Sequence, residues 1–159
     1  MMNGDLREVL DRQALTTLIS QYAHAVDARD VAETVACFAD DAHVEFDGGA
    51  EVVEGRDALA RFFESAFVSP RMGRTGVSTH LMSNIIVTVA GDTAHVETQA
   101  VAYHANDDRD TVIVRGLRYS DDCVRKRDGW LIGRRVHRSI WQSEASGQPG
   151  SADRRGIDR

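Results

Sequence analysis

Residues 79–105, THLMSNIIVTVAGDTAHVETQAVAYHA, decide the fold of this chain. Two long strand-like segments, Thr79–Ala90 and Thr93–Ala105, flank the two-residue connector Gly91-Asp92. A connector this short joins consecutive long strands as an antiparallel hairpin. Two further segments of the same kind follow along the chain, Thr111–Arg127 and Trp130–Trp141. The pattern therefore predicts an antiparallel meander of four strands.

The residues before this meander predict three helices. Apolar residues recur at helical spacing from Leu6 to Val26, after a capping-box pattern that opens at Asp5. A second capping pattern at Asp30 opens a short helix that is predicted to extend to Phe38. The third predicted helix covers residues 55–69 and ends where a proline follows. The first two helices are expected to pack as a hairpin.

Between the second and third helices, residues 43–53 predict a short strand hairpin. Helices that are segregated from an antiparallel sheet define the α+β class. We expect three N-terminal helices packed on a strongly curved antiparallel sheet, which together form a cone-shaped α+β barrel. This domain is predicted to span residues 1–141. Residues 142–159 are rich in Gly, Ser, Pro and charge and predict a disordered tail.

The composition excludes several classes of partner. The formal net charge of −6 argues against a nucleic acid or an anionic membrane as a partner. The chain begins without the apolar core of a signal peptide, and no apolar run is long enough to span a membrane. We therefore expect a cytoplasmic protein. Cys37 and Cys123 show neither metal-binding nor redox spacing and predict reduced, buried thiols.

Three side chains have the chemistry that cofactor-free proton transfer needs: Tyr22, Asp27 and His80. Asp27 ends the first helix, where the negative end of the helix dipole opposes a carboxylate. Together with burial in an apolar cavity, this position is expected to raise the pKa of Asp27 toward the range of a general base. The alternative interpretation is a solvated aspartate that begins the turn to Asp30.

Tyr22 lies on the apolar stripe of the first helix, so its ring is expected to face inward. Its hydroxyl either donates to a substrate oxygen or is satisfied within the core. Tyr22 and Asp27 are five residues apart, which places them about 140° apart around a helix. They share one cavity only if the end of the helix unwinds.

His80, Met82 and Asn84 share one face of the predicted strand. This face either lines a cavity or is exposed to solvent. His104 shares parity with two alanines, which leave room beside it on one face of the sheet. The residues expected to bind substrate are Asn84, His104, Phe38, Phe63 and Trp141. The aromatic rings among them, those of Phe38, Phe63 and Trp141, favour a small hydrophobic, cyclic ligand.

The other histidines, His24, His43, His95 and His137, are expected at the surface or at an edge. The arginines of the last two strands are mostly expected to face water or a subunit partner. No set of residues has metal-ligand spacing, and no phosphate loop, nucleotide fingerprint or nucleophile elbow occurs. We therefore expect neither a metal nor an organic cofactor.

Several segments together resemble the SnoaL-like branch of the nuclear-transport-factor-two-like superfamily, over roughly residues 5–141. They are Tyr22–Asp30, Cys37–Ala42, Val53–Leu59, Thr79–Asn84, Arg115–Asp121 and Asp128–Val136. The superfamily includes scytalone dehydratase, ketosteroid isomerase, bile-acid dehydratase, hexachlorocyclohexane dehydrochlorinase and polyketide cyclases. The order and spacing of these segments are more specific for the fold than for an activity.

The resemblance implies a His-Asp pair in which His80 is the general base and Asp27 orients it. Because scytalone dehydratase carries a functional histidine on the neighbouring strand, the resemblance also makes His104 a candidate second acid. The implied function is a cofactor-independent lyase, most simply a dehydratase, or an isomerase that uses the same residues. Alternatives on the same fold are a polyketide-type cyclase and a non-catalytic module for small-molecule binding or assembly. Relatives oligomerise through the outer face of the sheet, so the resemblance also implies a homodimer, or a trimer.

Overall fold

A computed structural model of the chain describes residues 2–69, 77–106 and 111–147. Within these residues the helices are α1 (Met2–Ala28), α2 (Val31–Ala36) and α3 (Arg56–Val68). The strands are β1 (Phe38–Phe46), β2 (Glu51–Glu54), β3 (Ser78–Ala90), β4 (Thr93–Asn106), β5 (Thr111–Lys126) and β6 (Gly129–Ser146). None of these helices is both long and apolar enough to cross a membrane.

The strands form one curved, unclosed sheet in the order β2-β1-β6-β5-β4-β3, with the helices packed on it as an α+β cone. The predicted meander is confirmed, because β3 to β6 pair in sequence order and each pair is antiparallel. One pairing differs from the expected antiparallel pattern: β1 runs parallel to β6. That pairing joins residues about 90 positions apart, which local alternation does not reveal.

Three predicted boundaries were wrong. Helix α1 begins at Met2, so Asp5 lies within the helix and does not open it. Phe38 begins strand β1 and does not belong to α2. Strand β6 continues through Ser146, past the predicted domain end at 141. The remainder of the predicted tail, from residue 148 onward, lies outside the described residues.

The cap of the second helix is confirmed. The Asp30 carboxylate accepts a hydrogen bond from the backbone N–H of Glu33 at 3.0 Å, which satisfies a free donor of the first turn. Just before it, Arg29 adopts a left-handed conformation with φ of 57° and ends α1. Asp27 is therefore fixed in the last turn of α1, beside the start of strand β3.

The core lies between the helices and the inner face of the sheet. Alternate residues of β4 point into it, and Val96, Thr98, Ala100, Ala102 and His104 are all buried. The apolar side of α1 covers this face with Leu15, Ile19 and Tyr22. Inner-face residues of the sheet thus approach the last turn of α1, which is where the candidate site lies.

Candidate active site

Asp27 and His80 form a directly hydrogen-bonded pair. The His80 Nδ1 atom lies 2.6 Å from Asp27 Oδ1, and the backbone N–H of His80 donates to Asp27 Oδ2 at 2.8 Å. The Ser78 hydroxyl donates to Asp27 Oδ1 at 2.9 Å. Because an ionised carboxylate can only accept a hydrogen bond, the neutral imidazole carries its proton on Nδ1. The Nε2 atom of His80 therefore carries the lone pair of a base.

The expected rise in the pKa of Asp27 was wrong. Partial burial by itself would raise this pKa, but the hydrogen bonds from the ring and backbone of His80 outweigh it, and Ser78 adds to them. The net effect is a pKa below the ordinary value of 3.8. Asp27 is consequently an anion at neutral pH, and it holds the imidazole of His80 through the Nδ1 atom.

His104 lies next to this pair. Its ring meets the ring of His80 edge-on, with 5.7 Å between the centroids. Burial and, to a smaller extent, the charge of His80 lower the pKa of His104 to about 4. Its Nδ1 atom is buried and has no hydrogen-bond partner among the residues that the structure describes. His104 is thus a neutral neighbour of His80 at pH 7.

Tyr22 is buried but belongs to a different part of the interior. Helix α1 stays regular through Ala28, so the unwinding that would join Tyr22 to Asp27 does not occur. Its ring lies 4.0 Å from the guanidinium carbon of Arg135 and packs edge-on against Phe38, Phe63 and Tyr119. Tyr22 therefore faces the central strands, whereas Asp27 faces the edge strand β3.

A buried cation, Arg135, lies beneath the ring of Tyr22, and the sequence pattern did not predict it. Arg135 has no exposed surface and donates from Nε and Nη2 to the two carboxylate oxygens of Asp121, at 2.7 Å each. Burial alone would lower the pKa of Arg135, but the charge and hydrogen bonds of Asp121 outweigh burial and raise it. Arg135 therefore stays charged. Its Nη1 atom has no partner within the described part of the chain.

Two residues expected to bind substrate, Asn84 and Trp141, lie on the outer face of the sheet. A register shift between Ser83 and Ile86 reverses the side-chain parity of β3 after His80. Asn84 sits in this shift with a left-handed φ of 48°, and its amide donates to Gln99 at 3.1 Å. The Trp141 indole covers Gly116 from outside, where an added Cβ would lie 2.2 Å from the ring.

The apolar candidates belong to the core. Phe38 is wholly buried, and Phe63 lies in the same cluster of rings, where it contacts Phe46, Phe62 and Phe67. The rings of Phe38 and Phe63 both pack against the ring of Tyr22. His137, expected at the surface, instead faces inward on β6 with its side chain 15% exposed. Its register partner is Tyr119, which is also buried.

Comparison with known proteins identifies the family of this chain. The SnoaL-like domain profile matches residues 7–136. The chain belongs to the SnoaL-like domain family. A Mycobacterium tuberculosis relative, the uncharacterized protein Rv2910c, is 31% identical over 140 residues, which cover 85% of this chain and 89% of that protein.

Solved structures place the family in the same fold. A Novosphingobium aromaticivorans protein, described as NTF2-like with a cystatin-like fold, superposes with a TM-score of 0.76 at 22% identity and covers 99% of this chain and 95% of its own. Hexachlorocyclohexane dehydrochlorinase LinA-type3 from Novosphingobium barchaimii gives a TM-score of 0.77 at 17% identity, over 94% and 99% of the two chains. At these identities the similarity concerns the fold alone.

Proposed function

We propose that this chain is a cofactor-independent lyase or isomerase in which His80 and Asp27 move a proton on a small hydrophobic, cyclic carbonyl or hydroxyl compound. The observation that carries this proposal is the double attachment of His80 to one carboxylate, at 2.6 Å through the ring and 2.8 Å through the backbone. This arrangement fixes the tautomer and the direction of the ring. Fixing both is what a general base requires of its partner.

The proton balance of the reaction closes on His80 alone. Nε2 removes a proton from the carbon next to the substrate carbonyl, and the C–H electron pair forms a carbon–carbon double bond. The bond from the neighbouring carbon to its hydroxyl breaks, and the hydroxyl takes the proton from Nε2. Water leaves, and the neutral imidazole is restored. In an isomerase the same proton returns to a different carbon.

Asp27 stabilises the imidazolium that exists between these two steps. It is an anion held by Ser78 and by the backbone of His80, so no rearrangement is needed when the ring becomes charged. His104 stays neutral beside it, because its pKa is about 4. A second positive charge at 5.7 Å would oppose protonation of His80, so a neutral His104 favours the cycle.

The similarity to a dehydrochlorinase of the same fold supports an elimination, since that enzyme's name describes loss of a proton and a leaving group. The arrangement also allows a plain binding site, in which Asp27 anchors β3 to the end of α1. Proton transfer distinguishes the two, because a binding site needs no base and a lyase does.

A panel of cyclic and aryl β-hydroxy ketones tests the proposal, with formation of the conjugated enone followed by absorbance. We expect at least one member to be dehydrated by the wild-type chain. Asp27→Asn and His80→Gln are expected to lower the rate by about 10²–10⁴-fold. The variant His95→Gln, which changes an exposed histidine, is the matched control. A panel without turnover, or unchanged rates in both site variants, would favour the binding site.

We also infer that the outer face of the sheet joins two copies of the chain. Large apolar side chains are exposed there, and Leu81, Ile86, Tyr103 and Trp141 are each 39–67% accessible. Asn84, Gln99 and Trp141 line a groove of about 310 Å³ on the same face. An apolar surface of this kind on a sheet is typical of a subunit interface. A homodimer would cover it.

A further inference from the structure

His137 is an inward-facing imidazole that the proposed proton transfer does not use. It lies on β6, and its register partner Tyr119 pairs in turn with Thr98 of β4. All three side chains belong to one row across the inner face of the sheet. The hydroxyl of Thr98 is buried and has no hydrogen-bond partner among the described residues. This row adds polar groups to the interior beside the buried Arg135–Asp121 pair.

The turn between β1 and β2 holds His137 in place. The backbone N–H of Asp47 donates to His137 Nδ1 at 3.5 Å, and the N–H of Gly48 donates to the carbonyl oxygen of His137 at 2.9 Å. The ring is packed between Tyr119 at 5.2 Å and Phe46 at 6.0 Å. The same Nδ1 atom also lies 3.7 Å from Asp47 Oδ1, which is beyond hydrogen-bond distance. The hydrogen-bond partner of Nδ1 is therefore the backbone N–H of Asp47, and the neutral ring carries its proton on Nε2. No hydrogen bond to Nε2 is formed within the part of the chain that the structure describes.

Burial keeps His137 uncharged. Burial lowers its pKa to about 4, against the nearby Asp47 carboxylate and together with the positive charges of Arg135, Arg115 and His80. The register of the sheet places His80, opposite the buried Ala102, and His137, opposite the buried Tyr119, on the same inner face. One is on β3 and the other on β6, three strands away, so they lie on different walls of the cone.

We propose that Nε2–H of His137 donates a hydrogen bond to a second oxygen of the substrate, on the wall that faces the His80–Asp27 pair. This inference rests on the proposed function, because it takes the carbonyl of the substrate to lie at His80. It narrows the substrate to a flat ring that carries oxygen at both ends. Phe46 and Tyr119, which pack on the imidazole, supply apolar surface for such a ring. His137 is thus a residue for specificity and positioning.

The test compares hydroxyacetophenone with methylacetophenone, in the meta and para series, because hydroxyl and methyl groups have nearly the same size. Dissociation constants are measured by calorimetry for the wild type, His137→Phe and His137→Gln. In the wild type we expect the hydroxyl compound of at least one series to bind about tenfold more tightly, the effect of one neutral hydrogen bond. The preference is expected to vanish in His137→Phe and to be partly restored in His137→Gln.

Three results would overturn the proposal: equal binding of both compounds to the wild type, an unchanged preference in His137→Phe, or no binding of either compound at millimolar concentration. If His137 had only a structural role, both variants would melt at a lower temperature and would keep the preference for the hydroxyl compound. That result would also contradict the proposal. Asp27→Asn is expected to keep the preference, because binding needs no proton transfer. Loss of catalysis and loss of this contact are therefore separate outcomes.

A measurement on the wild-type chain covers the case in which the variants fail to fold. Nitrogen NMR of His137 is expected to show a neutral ring with the proton on Nε2 at pH 6. The Nε2–H signal is expected to shift with the hydroxyl compound and to stay in place with the methyl compound. A proton on Nδ1, or the same shift with both compounds, would contradict the assignment.

Discussion

Asp27 accepts two hydrogen bonds from the same residue, one from the ring of His80 at 2.6 Å and one from its backbone at 2.8 Å. One carboxylate therefore fixes the position of strand β3 and the direction of the imidazole together. The last turn of α1 supplies the carboxylate, and the first residues of β3 supply the imidazole. The pair exists only where these two elements meet, so the packing of α1 on the sheet is a condition for the proposed chemistry.

The buried Arg135–Asp121 pair makes a prediction about stability. Arg135→Met leaves Asp121 as an unpaired charge in the core, so we expect the free energy of unfolding to fall by about 3–5 kcal/mol. Asp121→Leu should cost a similar amount. The double variant should recover most of the loss, because removing both charges also removes the cost of burying them. Urea denaturation at pH 7 measures all three.

The neighbouring Arg134 is the matched control for that series. It is half-exposed and pairs with Glu45 at the surface, so Arg134→Met is expected to change stability by less than about 1 kcal/mol. A loss in the double variant equal to the sum of the two single losses would show that Arg135 and Asp121 act independently, against the ion pair described above.

A second prediction concerns pH. His104 and His137 have a pKa of about 4 in the folded chain and an ordinary value of 6.5 when unfolded. Between these values the unfolded chain binds more protons, so the free energy of unfolding falls as the pH falls from 6.5 to 4. Each histidine accounts for at most about 3 kcal/mol over this window. Asp27 contributes at lower pH, because its pKa lies below 3.8.

Equilibrium unfolding between pH 5 and 6 tests this prediction. His104→Phe and His137→Phe should each reduce the proton uptake on unfolding by up to one. His43→Asn is the control, since hydrogen bonding to Glu54 raises its folded pKa and it stays protonated in both states within this range. If His104→Phe and His137→Phe leave the pH dependence of the free energy of unfolding unchanged, these two imidazoles are not buried as neutral groups.

The proposed homodimer predicts a dependence on Leu81. This side chain is 53% exposed on the outer face of β3. Leu81→Asp would place a charge in the interface, so light scattering at micromolar concentration should show a dimer for the wild type and a monomer for the variant. Val68→Asp changes a more exposed residue on α3 and serves as the control. A monomeric wild type would exclude the interface.

The sequence predicted the elements of the fold well, because long alternating segments with short turns specify their own pairing. Irregular pairing limited the prediction of the site. Counting back from the turn at Asp128-Gly129 pairs Asp121 with Arg134, but a register shift after Cys123 moves the partner to Arg135. Because of that shift, Arg135 lies in the core and Arg134 lies at the surface.

A register shift also explains why Asn84 was predicted on the wrong face of the sheet. Strict alternation from His80 puts Asn84 on the inner face, whereas the shift between Ser83 and Ile86 turns it outward and brings Val87 into the core. The His80–Asp27 contact joins residues 53 positions apart. Spacing alone does not give such a contact, and the resemblance to the family supplied it. The inward position of His137 had no such guide, because alternation breaks down along β6.

Proton exchange tests the role of the His80–Asp27 pair most directly, because lyase and isomerase share that step. Saturated analogues of the β-hydroxy ketones, which lack a leaving group, are incubated in D₂O with the wild type, Asp27→Asn or His95→Gln. Deuterium next to the carbonyl is followed by NMR. We predict exchange with the wild type and with His95→Gln, and a loss of about 10²-fold or more with Asp27→Asn. Equal exchange with Asp27→Asn, or none with the wild type, would contradict proton transfer by this pair.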